Sequence, residues 1–125
     1  MLKQSDIHPT IPATDLSRAH AWYADKLGLD PDQEFPGALY YRVGESSAFL
    51  LYSASVSGTS GHQVAAWVVE DLESEVARLR GRGVVFEEYD TPGLRTVDGI
   101  ATTPAGKGAW FKDSEGNVIT LTQRR

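Results

Sequence analysis

The chain uses one pattern of a helix and strands twice, and this repetition constrains its fold more than any local feature. Asp15-Leu16-Ser17-Arg18 and Asp71-Leu72-Glu73-Ser74 each have the pattern of a helix start, with the Asp carboxylate placed to accept backbone N–H bonds. A short apolar strand precedes each start, Ile11-Pro12-Ala13 in the first copy and Trp67-Val68-Val69 in the second. Internal repetition of this kind indicates one supersecondary unit used twice.

The segments that follow the two helices match as well. Leu39-Tyr40-Tyr41-Arg42 corresponds to Ala109-Trp110-Phe111-Lys112, and the stretch 48–52 corresponds to 118–122. The second copy carries a longer connection, residues 91–106, whose Gly, Pro and Thr content predicts a loop with at most a short strand. Each copy therefore reads strand, helix, strand, strand, strand.

The length of 125 residues favours one domain, residues 1–125. We place module one at about residues 5–54 and module two at about 62–123. The Ser- and Gly-rich segment 53–61 is predicted to be the linker between them. The first helix is expected to end at Gly28 and the second at Gly81 or Gly83, because Gly is the usual residue at a helix C-terminus.

Composition excludes several classes of function. The formal net charge of -5 argues against a nucleic-acid surface and permits a neutral or cationic ligand. The chain has no cysteine, so disulfides and thiolate chemistry are excluded. Because no apolar run approaches ~18 residues, and none of signal-peptide length lies in residues 1–10, we expect no membrane partner and a cytoplasmic location.

Two phrases of the sequence resemble one protein family. The opening phrase runs from Ile11 to Leu16 and continues with Trp22-Tyr23 and Leu27-Gly28-Leu29. The closing phrase, residues 110–117, looks like a Phe-x-Asp-Pro-Asp-Gly-Asn turn, with Ser114 in place of Pro. Over nearly the whole chain the sequence is similar to the vicinal oxygen chelate superfamily, which includes glyoxalase I, bleomycin-resistance proteins and extradiol dioxygenases.

The resemblance implies an α+β fold of two βαβββ modules, whose paired, curled mixed sheets form a cup within a chain or across a homodimer. Metal-dependent members carry four ligands on the first and last strands of the modules. Carried over residue by residue, those positions are His8, Leu50, Val64 and Thr120. Only His8 is a good transition-metal ligand, so we expect no metal and no other cofactor.

The remaining histidines leave an alternative open. His62 lies two residues before Val64, which predicts the same strand face, and it could hold a metal together with His8. We favour a position for His62 at the pocket rim or surface. His20 falls on the inner stripe of the first helix, and packing or partial exposure explains it better than chemistry.

Strand alternation divides the side chains between an apolar face and a mixed face that would line the cup. Tyr40 and Trp110 are expected to face the cup and stack on a flat ligand, or else to cap a sheet edge or a dimer contact. Arg42 could anchor a carboxylate or phosphate, or be solvated surface charge. The predicted ligand-binding residues are His8, Thr10, Tyr40, Arg42, Leu50, Tyr52, His62, Val64, Trp110 and Thr120.

Three functions remain open. The first is a metal-independent small-molecule-binding protein of the bleomycin-resistance type, holding a small, partly aromatic antibiotic or metabolite. The second is a glyoxalase-like lyase or isomerase, or a dioxygenase, with His8 as a base beside Tyr52 or as a metal ligand with His62. The third is a non-catalytic regulatory or partner-binding module. A homodimer is expected from the resemblance alone.

Overall fold

The repeated pattern of the sequence is present in the structure, a computed structural model that describes residues 1–124. Two α-helices are described, α1 (Leu16–Trp22) and α2 (Leu72–Gly81). The strands among these residues are β1 (Thr10–Ala13), β2 (Gln33–Phe35), β3 (Ala38–Val43), β4 (Ser47–Ser53), β5 (Gln63–Val68), β6 (Asp90–Thr91), β7 (Leu94–Arg95), β8 (Ala101–Thr103), β9 (Gly106–Lys112) and β10 (Val118–Arg124). With ten residues, α2 is far shorter than the ~20 residues of a membrane span, and the same holds for every helix of the described part.

Two mixed four-stranded sheets carry the fold. Sheet one has the order β1-β4-β3-β2 and sheet two the order β5-β10-β9-β8, which is the same topology repeated. In each sheet the first strand of the module runs parallel to the last, and the other pairs are antiparallel. The long connection of module two, predicted as a loop, contains most of the small β6–β7 hairpin and the strand β8, which pairs with β9. The predicted α+β fold of two βαβββ modules is therefore confirmed, as two open sheets rather than a closed barrel.

Both helices begin at the predicted caps. The Asp15 carboxylate accepts from the backbone N–H of Arg18 at 3.0 Å, and Asp71 accepts from Ser74 at 3.2 Å. The first helix ends at Gly28 in the left-handed conformation, as expected. Its last part differs from the expected α-helix, because residues Tyr23–Leu27 form a π-helical turn.

The apolar faces of both sheets pack with the helices into one shared core. The residues assigned by alternation to the apolar face of β1, β4 and β10 are almost fully buried: Ile11, Ala13, Phe49, Leu51, Ile119 and Leu121. Aromatic contacts cross between the modules, with Trp22 stacked on Phe111 and Phe49 edge-on to Trp67. This packing leaves the opposite, concave face of each sheet free of the shared core.

A buried carboxylate in the β9–β10 turn ties module two to module one. Glu115 accepts hydrogen bonds from Arg18 Nε at 2.8 Å, from the backbone N–H of Asp15 at 2.9 Å and from Thr14 Oγ1 at 3.2 Å. Its side chain is completely shielded from solvent. The Arg18 guanidinium, helped by these other donors, lowers the pKa of Glu115 from its ordinary 4.5 to about 2.

The neighbours of Glu115 in the same turn extend this connection. Tyr23 Oη donates to Asp113 Oδ2 at 2.7 Å, and Asn117 Nδ2 donates to the Pro12 carbonyl at 2.8 Å. The linker also docks here, since the Gly58 backbone N–H donates to Asn117 Oδ1. A Cβ at Gly58 would lie 2.6 Å from the Glu115 carbonyl, so only Gly permits this close approach. The closing phrase of the sequence is thus an intermodule clamp.

We predict that Glu115→Gln lowers the free energy of unfolding at pH 7 by about 2 kcal/mol, because a charge-assisted network loses its anion. The measurement is chemical denaturation followed by circular dichroism. Because the folded-state pKa is depressed, the stabilisation from Glu115 is complete above about pH 4.5 and is lost as the pH falls toward about 2. The variant is expected to lack this part of the acid dependence.

Asp90→Asn provides the matched control, because the Asp90–Arg95 ion pair is exposed on both sides. Its effect on unfolding is expected to stay below about 0.5 kcal/mol. Equal effects of the two substitutions, or an unchanged acid dependence in Glu115→Gln, would show that the clamp does not stabilise the fold.

Candidate functional site

The concave face of sheet two bounds an open space that is larger than the one over sheet one. This space of about 640 Å³ is lined by module-two residues, with residues 101–107 along one side. Its floor contains Gln63, Ala66, Gly108, Trp110, Thr120 and Thr122. Small side chains at the centre of the floor leave room for a ligand beside the one large aromatic residue.

A β-bulge in β5 decides which side chains reach this floor. Gln63 pairs with Val118 and Ala65 with Ile119, so Val64 is the extra residue between two registers. Gln63 therefore shares the concave face with Ala66, while Val64 packs against the shared core. The prediction that Val64 lines the cup was wrong, because strict alternation along β5 does not survive the bulge.

Gln63 takes over the place expected for Val64 and organises the floor. Its Oε1 accepts one hydrogen bond from Thr120 Oγ1 at 2.8 Å and another from Trp110 Nε1 at 3.1 Å. The buried position of Thr120 fits this arrangement, because its hydroxyl has a partner. The three side chains come from β5, β10 and β9, which are neighbours in sheet two.

The Trp110 indole is held on three sides. Besides its bond to Gln63, it lies over Gly108, where a Cβ would come within 3.1 Å of the ring. Tyr89 meets the indole edge-on with ring centroids 5.6 Å apart. A half-buried aromatic plane fixed in this way is a preorganised stacking surface, because little side-chain entropy remains to be lost when a ligand binds.

The charge around this floor differs from the charge of the whole chain. No Asp or Glu lines the space, whereas Lys107 and Arg124 do. Lys107 Nζ is paired with Glu73 at 2.7 Å, so its charge is largely compensated. The net charge of -5 therefore gives no guide to the ligand, and the local surroundings favour a neutral or anionic molecule over a cation.

The concave face of sheet one carries the other predicted residues. Thr10 is paired with Leu50, and Leu50 with Tyr40, so these three lie side by side on one face. Tyr52 and Arg42 lie on the same face by alternation. A shallow space there is surrounded by Asp32, Gln33, Tyr40 and Arg42. Arg42 is exposed, which agrees with the alternative of a solvated surface charge.

The histidines lie at the edges rather than inside the strands. His8 precedes β1 by two residues and is exposed, with its ring 6.3 Å from that of Tyr40. His62 lies just before β5 in an exposed bend, and its backbone is bonded to Ser60. Within residues 1–124 no hydrogen bond links His8 to Tyr52, and the aromatic ring paired with His8 is that of Tyr40.

The positions carried over from metal-dependent proteins do not fit a mononuclear metal. Leu50 and Val64 have no donor atom, and the Thr120 hydroxyl is bonded to Gln63. Across the described residues, no three His, Asp or Glu side chains cluster in a way that could hold a metal ion. We therefore derive no chemical step through a metal.

The chain brings the predicted residues together as two sets and not as one. Trp110 and Thr120 line the space over sheet two, whereas Tyr40 and Arg42 line the space over sheet one. The shared core lies between the apolar faces, so the two spaces lie on opposite sides of it. Sequence reasoning missed Gln63, Gly108 and Tyr89, and no signal in the sequence marks the bulge that brings Gln63 to the floor.

The two mixed sheets of the same topology define the class of protein: a chain of two βαβββ modules. The model of the Glyoxalase/Bleomycin resistance protein/Dioxygenase superfamily matches residues 7–121, and the chain belongs to this superfamily. Among curated protein sequences no relative matches. The family expected from the opening and closing phrases is confirmed.

Solved structures share the fold over nearly the whole chain. A bleomycin-binding protein complexed with bleomycin has a TM-score of 0.74 at 15% identity, covering 98% of this chain and 100% of that one. TnmS3, an antibiotic-binding protein from Streptomyces sp. CB03234, has a TM-score of 0.67 at 23% identity, covering 98% and 99%. A glyoxalase family protein from Enterococcus faecalis has a TM-score of 0.71 at 21% identity, covering 98% and 99%.

We predict that Gln63→Met frees the Trp110 indole N–H. In a proton–nitrogen correlation spectrum, the Trp110 side-chain signal is expected to shift upfield and to exchange faster with water, because its acceptor is gone. The signal is assigned by its absence in Trp110→Phe. The signals of Trp22 and Trp67, which pack on the core, should stay in place.

Gln4→Met is the control, because Gln4 is exposed and lies in the short 3-10 helix before β1. It should leave all three indole signals unchanged. An unaltered Trp110 signal in Gln63→Met would contradict the hydrogen bond that organises the floor.

Proposed function

We propose that this protein is a non-catalytic, metal-independent binding protein for a small, partly aromatic molecule such as an antibiotic or a metabolite. The observation that carries the proposal is the Trp110 indole, held flat by Gln63, Gly108 and Tyr89 beside an open space of about 640 Å³. A fixed aromatic plane next to small side chains suits stacking of a flat ligand. The fold shared with proteins described as bleomycin-binding and antibiotic-binding supports the same class.

The donor set of this chain supports the metal-independent part of the proposal. Two of the four carried-over positions are hydrocarbon, and the third is a neutral hydroxyl already bonded to an amide. His8 alone is a single exposed imidazole. A site that needs three or more protein ligands cannot be assembled from these positions, so binding in the cup depends on stacking and hydrogen bonding.

The cup is completed, in this proposal, by a second copy of the chain. A single concave face covers only one side of a flat ligand, whereas small-molecule sites usually bury most of the ligand surface. The concave face of sheet one offers Tyr40, Tyr52 and Arg42 as the complementary half. In a two-fold homodimer, sheet one of each chain would lie opposite sheet two of the other chain. The two pairings are equivalent by symmetry and give two cups.

We expect planar aromatic compounds, with bleomycin in the panel, to bind with micromolar or tighter affinity in isothermal titration calorimetry. Trp110→Leu should weaken the best ligand at least tenfold, because the stacking plane is lost. Dialysis of the protein against EDTA should leave the affinity unchanged. The control is Val85→Ala, an exposed apolar position that lines neither of the two spaces, which should bind like the unaltered protein.

Failure of the whole panel to bind would refute the proposed function. Binding that disappears with EDTA and returns with a divalent metal would refute metal independence and revive the enzymatic alternative with His8.

The shared cup leads to a complementation experiment. Tyr40→Leu and Trp110→Leu each damage both cups of their own homodimer, since every cup has one face from each chain. A heterodimer purified with two different tags carries both substitutions in one cup and none in the other. Calorimetry should therefore find one strong site per heterodimer and none in either homodimer. Heterodimers without a restored site would show that each chain binds ligand on its own.

A further inference from the structure

Besides accepting a hydrogen bond from the indole, Gln63 has an amide nitrogen that can donate to a ligand. A role for this nitrogen rests on the proposed function of the sheet-two floor. An indole N–H can only donate a hydrogen bond, so the atom 3.1 Å from Trp110 Nε1 must be the amide oxygen of Gln63. Thr120 Oγ1 donates to the same oxygen. The orientation of the amide group is therefore fixed by its protein partners.

This orientation leaves the amide nitrogen unused. Both lone pairs of the oxygen are engaged, while the Nε2 group of Gln63 has no hydrogen-bond partner within residues 1–124. Gln63 lines the open space over sheet two together with the Trp110 ring. Two N–H donors of known direction thus lie next to a stacking plane, where water or a ligand can take them up.

The other groups on this floor do not compete for these donors. Ala66 and Gly108 have no polar side-chain atom, and the Thr122 hydroxyl is directed to the Lys107 carbonyl. Among the described residues, no carboxylate side chain that could attract a cationic ligand or accept from Gln63 lines the space. The floor therefore combines an aromatic plane with free donors and lacks an ionised acceptor.

We propose that the Gln63 amide selects planar aromatic ligands that carry a neutral oxygen acceptor, such as a ring ketone, at the edge that faces β5. The ligand ring stacks on Trp110, and its carbonyl oxygen accepts from Nε2 of Gln63. A ring of the same shape with a methylene group in place of the carbonyl would leave the donor unpaired and lose this contact.

The test compares fluorenone carboxylate with fluorene carboxylate, two planar probes that differ by a carbonyl against a methylene group. Isothermal titration calorimetry of the dialysed full chain is expected to show about tenfold tighter binding of the ketone. Gln63→Glu is the decisive variant. It keeps an oxygen for Trp110 and Thr120 but replaces the donor group by a second oxygen, so the preference should fall to about one.

Both probes carry the same carboxylate, so the charge introduced by Gln63→Glu cancels in the ratio of their affinities. Gln4→Glu makes the same chemical change at an exposed, remote position and should keep the tenfold preference. The melting temperature and the Trp110 indole signal verify that the floor is intact in each variant.

The outcomes separate this inference from the function on which it rests. Equal binding of the two probes by the unaltered chain, or an unchanged preference in Gln63→Glu, overturns the selection by Gln63 and leaves the binding function standing. Binding of neither probe overturns the inference, and if the wider aromatic panel also fails, the proposed function falls with it.

Discussion

The Glu115 carboxylate is the point on which the arrangement of the two modules depends. It lies in a turn of module two, yet its partners are Thr14, Asp15 and Arg18 at the start of α1 in module one. A fully shielded carboxylate is costly unless such donors surround it, so the turn can be buried only where module one provides them. This requirement fixes the position of sheet two against α1.

The position of the sheets in turn determines which of their faces are available for function. With the clamp formed, Trp22 stacks on Phe111 and the apolar faces of both sheets close over the shared core. The concave faces are then left outside this core. One ionic contact and the packing that it aligns thereby leave Trp110 beside the open space over sheet two and Tyr40 beside a separate space over sheet one.

The fold was largely readable from the sequence because its signals are local and duplicated. The caps Asp15 and Asp71 and the alternation along β4 and β10 depend on the covalent chain alone, and the second copy of each signal supported the first. The sequence indicated the clamp only through the resemblance of residues 110–117 to a turn of the family. Its ion pair joins residues almost a hundred positions apart, and no local pattern indicates that the shielded Glu115 carboxylate contacts Arg18.

The candidate site was only partly readable, for a different reason. Trp110 and Thr120, which the alternation assigned to one face, lie beside the same open space because β9 and β10 pair without interruption. Gln63 was missed because a β-bulge exchanges the faces of all residues before it, and the bulge arises from the pairing of β5 with β10 rather than from residues 63–65 themselves. The charge of the floor was also hidden, since a net charge sums the whole chain while a ligand senses only the nearest groups.

The bulge explains why this floor is specific and not merely apolar. Without it, Val64 would take the place of Gln63 on this face, the buried Thr120 hydroxyl would lose its acceptor, and the half-buried indole N–H of Trp110 would be left to water. With it, one amide oxygen satisfies both donors, and the amide nitrogen becomes the remaining free polar group beside the ring. The extra residue in the edge strand β5 thus gives both donors one protein acceptor. It also holds the aromatic ring beside a hydrogen-bond donor of fixed direction.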